Sequence, residues 1–278
     1  MSRRNPIFRI SMVCAAASML CGCYETIDSS EFPDYLASPA ISTEPIQTTV
    51  TSTTEPLPAP KSYTIPDVAF TTQKGLLPTG CELVSSLMLL RYLNFDITID
   101  DVVAHTRAKY PDTVDGIVCA PHPSEAFIGS PSDPTSFGCF PPVIQNMLES
   151  IVSDQYEVID TTGTDLQTLV ETYIPQNIPV LVWATGNMEE SYRQIGWYLT
   201  DENGKPSDNW YVWPAREHCL LLIGYDEENY IFNDPMQESA PTLYERKLVE
   251  KRNKELDRMS VVVRPKTDTE TTKSDATD

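Results

Sequence analysis

Residues Gln73 to Leu90 read Q-K-G-L-L-P-T-G-C-E-L-V-S-S-L-M-L-L. A loop broken by Pro78 and Gly80 runs into a segment with apolar residues at Leu83, Val84, Leu87, Met88 and Leu90. That spacing gives a helix with a wide apolar face, which has to be buried against a second layer of structure. Thr79 followed three residues later by Glu82 is the pattern of a capping box, which makes Thr79 the expected N-cap and places Cys81 in the first turn. A thiol in that position lies near unpaired backbone N–H groups and the positive end of the helix dipole, and both favour the thiolate. An isolated cysteine at a helix start is also an ordinary small buried residue, so its meaning depends on what the rest of the chain brings to it.

About 140 residues on, Glu217 to Tyr225 reads E-H-C-L-L-L-I-G-Y, a strand with His218 at its mouth. The tight connection D-E-E-N returns the chain through Y-I-F-N-D-P, and in such a hairpin Asp234 is expected to share a face with His218. A carboxylate beside an imidazole fixes its tautomer and stabilises the imidazolium formed on proton transfer; it is also what a satisfied histidine at a sheet edge looks like. Further strands are expected at P-V-L-V-W-A-T, W-Y-V-W-P, Asn229–Asn233 and Met259–Arg264, with an extended arm at Y-T-I-P-D-V-A-F. Helices are expected after Thr98, from Pro141 to Val152, from a Thr164 cap to about Gln176, and within Leu243 to Asp257. Pro111 to Pro142 has weak periodicity and reads as a long functional or cross-linked loop. Helices first and an antiparallel set of strands later is an α+β layout.

The N-terminus carries Arg3, Arg4 and Arg9 before a short apolar run from Ile10 to Leu20, the pattern of an export signal and too short for a transmembrane span. It ends in Leu20-Cys21-Gly22-Cys23, which resembles the bacterial lipobox; that resemblance implies a signal segment over 1–22 and lipidation of Cys23, with ordinary signal-peptidase cleavage as the alternative. Residues 23–62 are rich in Ser, Thr, Pro and acid and read as a tether, 266–278 as a polar tail, and 63–265 as the folded domain. Removing 1–22 removes three arginines and no acid, taking the formal charge from −20 to −23. So acidic a chain is unsuited to nucleic acid or to anionic headgroups, leaving the lipid as its membrane link. Cys119 and Cys139 both sit in loop-like sequence and could form a disulfide in an exported protein.

Gln73, then P-T-G-C-E opening a helix, then E-H-C-L-L-L-I-G-Y-D, then N-D-P, together with A-P-H-P-S-E-A-F-I-G-S-P as a middle loop, resembles the papain-like cysteine peptidases. The similarity is to their bacteriocin-processing-peptidase-like branch (peptidase family C-39-like, second group) and covers most of 63–265. It implies a papain-like fold in which a helix carrying the cysteine packs on an antiparallel sheet carrying His and Asp. By this resemblance Cys81 is the nucleophile, His218 the general base and later acid, Asp234 its orienting partner, and Gln73 with the Cys81 N–H the oxyanion hole. The expected activity is peptide-bond hydrolysis through an acyl-enzyme, on a peptide or protein substrate, at the extracytoplasmic face of the membrane and without a cofactor. The alternatives are a non-catalytic binding or adhesion module and an acyl or amide transferase on the same fold. Zinc on Cys81, His218, Cys219 and Asp234 is disfavoured, because Cys219 adjoins His218 on a strand and points the opposite way.

Overall fold

The computed structural model describes residues 60–266. The expected signal segment, Cys23 and nearly all of the tether and the tail lie outside the described residues. A seven-stranded antiparallel sheet organises the domain, with its main path running Thr242–Glu245, Asn229–Asn233, Glu217–Tyr225, Val180–Thr185, Ser260–Pro265 and Tyr156–Asp160. The short strand Tyr63–Thr64 pairs with the far end of Glu217–Tyr225. The helices Cys81–Tyr92 and Pro141–Glu149 contribute to the core on one face, and Leu166–Tyr173 and Arg246–Glu255 to the core on the other. Val180–Thr185 is buried along its whole length because it feeds both cores, which is why it reads as an unbroken apolar run and not as an alternation. The α+β layout expected from the sequence is the one observed.

The Cys81 helix is buried from Cys81 to Leu90, all round and not only on one face. Its two serines are satisfied within the core: Ser85 donates to the Cys219 carbonyl at 3.0 Å and Ser86 to the Glu82 carbonyl at 2.7 Å. The helix start differs from expectation. Gly80 occupies the N-cap with no side-chain cap, and the Thr79 hydroxyl instead faces the carbonyls of Ser130, Pro131 and Asp133 at 3.1 to 3.3 Å. Tertiary pinning of a loop has taken the place of a local cap. By contrast Thr98 and Asp101 form the expected reciprocal box, and Asp165, one residue after Thr164, caps Leu166–Tyr173.

Three regions carry more strand than the sequence pattern indicates, the strand Arg193–Thr200 being one of them. Pro111 to Pro142 is not a structureless loop: Asp112–Val114 and Ile117–Ala120 join Arg193–Thr200 and Pro206–Pro214 in a second, four-stranded sheet. Strands this short carry too little periodicity to be read. Leu243 to Asp257 divides into the edge strand Thr242–Glu245 and the helix Arg246–Glu255. The Cys119–Cys139 pairing is likewise not what the structure contains; both are wholly buried, unbonded thiols. Cys119 is fixed by its ladder pairing with Tyr198, while the Cys139 N–H is bound by Glu82 and its carbonyl by the Trp183 indole.

The hairpin that carries His218 and Asp234 contains one extra residue. Near the turn the register is Tyr225 opposite Tyr230 and Gly224 opposite Ile231; beyond a bulge it becomes Leu222 opposite Phe232 and Leu221 opposite Asn233. Continued from the turn without the bulge, the register would set Asp234 opposite Leu221, on the face away from His218. The extra residue at Ile223 sets Asp234 opposite Leu220 instead and so onto the face of His218. Gly224 permits this crowded point, since a Cβ there would lie 2.6 Å from the Tyr63 carbonyl oxygen and 2.9 Å from the Thr64 Cα, both backbone atoms of the short first strand. Gly224→Ala is therefore expected to destabilise the domain by about 2 kcal/mol, lowering Tm by roughly 4 to 8 °C in a thermal melt; an unchanged melt would show that the crowding is relieved without cost.

Candidate active site

His218 and Asp234 are buried, and His218 Nε2 lies 2.7 Å from Asp234 Oδ1. Asp234 is held from several sides: Oδ1 also accepts the Met236 N–H at 2.9 Å, and Oδ2 accepts the Tyr244 hydroxyl at 2.7 Å and the Gln237 amide at 3.3 Å. Burial acts to raise the Asp234 pKa, but the hydrogen bond and charge of His218, with the Tyr244 and Met236 donors, carry it down to about 2. With Nε2 engaged by Asp234, Nδ1 of His218 has no hydrogen-bond partner among the described residues.

Cys81 is the first residue of its helix and only 6% exposed. Its Sγ accepts the backbone N–H of Cys219 at 3.4 Å, so the thiol is seated against the peptide that joins His218 to Cys219. On its other side Sγ lies 3.3 Å from Glu82 Oε2, to which the thiol donates. The sequence leads one to expect a lowered thiol pKa; the structure reverses the direction. Burial, then the neighbouring carboxyls of Glu82 and Glu217, push the Cys81 thiol well above its ordinary value, and the Cys219 N–H opposes them only in part. Desolvation outweighs what the helix terminus offers.

Gln73 is joined to this group through the backbone. Its N–H donates to the Pro235 carbonyl at 2.8 Å, one residue beyond Asp234, and its side-chain Nε2 donates to the Pro78 carbonyl at 3.1 Å. The Gln73 side chain is buried, with Oε1 unpartnered. The Cys81 backbone N–H also has no hydrogen-bond partner among the described residues. Of the predicted set, the structure therefore binds Asp234 to His218 directly, Cys81 to the His218–Cys219 peptide, and Gln73 to the turn that follows Asp234.

Three participants were not predicted in their roles. Glu82 is no capping residue: Oε1 accepts the Cys139 N–H at 2.7 Å and Oε2 the Cys81 thiol. Burial raises its pKa to about 7. Glu217 has its carboxyl sealed from solvent with Oε1 unpartnered, and burial followed by the nearby Glu82 drives its pKa well up. The available signal was adjacency, since one glutamate follows Cys81 and the other precedes His218 in the chain. Tyr244 was hidden inside a segment that reads as helical. His122 stacks edge-on against Tyr211 with ring centroids 4.8 Å apart and contacts none of these groups, and Trp183, Trp197 and Trp213 are core residues.

A buried N-terminal helix seated on a mixed α+β body with an antiparallel sheet is the layout of the papain-like proteins. The profile of the Peptidase C39-like family matches residues 65–258, and the chain belongs to that family. It is 25% identical over 168 residues to the uncharacterised protein YvpB of Bacillus subtilis (strain 168), a match covering 57% of this chain and 59% of that one. The crystal structure of a candidate C39-like peptidase from Bacillus anthracis superposes with a TM-score of 0.63 at 20% identity, over 75% of this chain and all of the other, a likeness of fold.

The Asp234 shift has a stability consequence with a defined sign. Its folded pKa of about 2 lies below the ordinary carboxyl value, so the stabilisation is full above about pH 4 and is lost as the pH falls toward 2. Asp234→Asn is expected to remove about 2 kcal/mol at pH 7 and to flatten the dependence of urea-unfolding stability on pH between 4 and 2. An identical slope in both proteins over that interval would refute the assignment.

Proposed function

We propose that the chain is a membrane-tethered, extracytoplasmic cysteine peptidase that cleaves peptide bonds through an acyl-enzyme on Cys81. The observation that carries this reading is the seating of the Cys81 sulfur on the peptide that follows His218, while Asp234 engages Nε2 and leaves Nδ1 free. In this reading His218 Nδ1 takes the thiol proton as Sγ attacks the substrate carbonyl carbon. The carbonyl π electrons move to oxygen, and the oxyanion is met by the Cys81 N–H and the second N–H of the Gln73 amide. Collapse of the intermediate passes the proton from His218 to the leaving amine, and water attacks the thioester by the reverse use of the same base. Asp234 and Tyr244 keep the ring oriented throughout.

The test is hydrolysis of a peptide library read by mass spectrometry, together with labelling by a thiol-directed peptidyl probe. Cys81→Ala and His218→Ala are expected to abolish both product and label, and Gln73→Ala to lower kcat by about 100-fold with the label retained. Cleavage that persists in Cys81→Ala would refute the reading. An added amine acceptor distinguishes transfer from hydrolysis, because a transferase would form an amide with it. The lipobox-like Leu20-Cys21-Gly22-Cys23 and the tether that follows it support lipid attachment. Cys23→Ser is expected to move the protein from the detergent phase to the aqueous phase on phase partitioning; no change would remove the anchor.

A further inference from the structure

The proposed mechanism needs a thiol, an imidazole and one carboxylate, yet the thiol in the structure is turned toward two other carboxyl groups. Cys81, Glu82 and Glu217 each place a side-chain ligand atom within 4.8 Å of the others. The hydrogen bond that Cys81 donates runs to Glu82 Oε2. The cluster is built into the fold. Glu82 is anchored by the Cys139 N–H, and Gly138 makes room for both acids, since a Cβ there would lie 2.5 Å from Glu82 Oε1 and 3.0 Å from Glu217 Oε2. No hydrogen bond joins the two carboxyls among the described residues, and Glu217 Oε1 has no partner at all.

We propose that Glu82 and Glu217 are positioning residues that hold the Cys81 thiol protonated and unreactive in the resting protein, so that it must leave Glu82 before it can pass its proton to His218. This rests on the reading of Cys81 as the nucleophile. Negative charge beside a buried thiol raises the cost of forming the thiolate, whereas an imidazolium would lower it. The groups that act on Sγ are Glu82 from its own helix and Glu217 and Cys219 from the His218 strand, the last also through its backbone N–H. None of these side chains can be cationic; the nearest imidazole along the strand, His218, is engaged with Asp234 through Nε2. On activation the S–H bond breaks, its proton passes to His218 Nδ1, and the sulfur electron pair forms the bond to the substrate carbon; no other reactant is required. Glu82 takes no proton in this step.

The experiment is the pH profile of iodoacetamide alkylation at Cys81 in the full chain, mapped by mass spectrometry. Wild type is expected to label slowly at neutral pH, with a midpoint above that of an ordinary thiol. The pair of substitutions Glu82→Gln and Glu217→Gln made together is expected to lower the midpoint by a unit or more, which is about tenfold or more in labelling rate at pH 7.5. Glu82→Gln alone keeps an acceptor for the Cys139 N–H and is expected to shift the midpoint in the same direction by less. Glu82→Asp, which restores the charge, is expected to return it toward wild type. A midpoint unmoved in Glu82→Gln and in the double variant overturns the proposal, because a purely structural role for these glutamates would leave thiol acidity alone. Peptide hydrolysis is not the readout. A chain that cleaves nothing but shows the shift would overturn the peptidase reading and keep this one; cleavage without the shift would do the reverse.

Discussion

One extra residue in the strand Glu217–Tyr225 governs how the chemistry of this domain is distributed. Without the bulge at Ile223 the strand would still pair with both its neighbours, and its apolar residues would still reach two cores. The carboxylate of Asp234, however, would look out from the wrong face of the sheet. The bulge is tolerated because Gly224 lets the short strand Tyr63–Thr64 close over it at backbone distance. A feature at one end of the strand thus decides the partner of His218 at the other. The parity of a hairpin counted from its turn fails as an argument wherever such an insertion occurs.

The pleat of the same strand explains why so many ionisable groups can coexist in so dry a place. Consecutive residues point to opposite faces, so Glu217 and Cys219 look toward the Cys81 helix while His218 looks toward Asp234. One face carries the hydrogen-bonded His218–Asp234 pair. The other carries two carboxyls that cannot both ionise cheaply in a low-dielectric core. The thiol sits at the margin between these environments, touching the first through the Cys219 N–H and the second through Glu82. Its acidity is set first by burial and then by the two carboxyls, and the Cys219 N–H offsets them only in part.

Where side-chain pattern and structure share a cause, the sequence was readable. The Cys81 helix, the strand of His218, its return hairpin and the central strand Val180–Thr185 are long, strongly apolar and bounded by turn residues. Cys81, His218 and Asp234 stand out in the sequence because each lies at or next to an end of such an element. The sequence was unreadable where pairing, not pattern, makes the structure. Ile117–Ala120 is a strand because Asp112–Val114 and Arg193–Thr200 pair with it on its two sides, and Thr242–Glu245 because Asn229–Asn233 presents an open edge. Thr79 and Glu82 misled for a related reason: their spacing satisfies a local rule, but Ser130 to Asp133 and Cys139 make stronger claims on their side chains. The reversed acidity of Cys81 was beyond local reading, because it depends on how deeply the helix start is buried and on an acid 136 positions away.

The bond from the Gln73 N–H to the Pro235 carbonyl ties the loop before the Cys81 helix to the turn after Asp234. Thr72 adds to it, its hydroxyl donating to the Gln237 carbonyl at 2.6 Å. Two segments more than 150 residues apart in the chain are thereby one mechanical piece. The turn after Asp234 and the loop of Gln73 therefore share their anchoring bonds. Opening of the Asp234 turn has to break these bonds, so it loosens the backbone support of Gln73 at the same time.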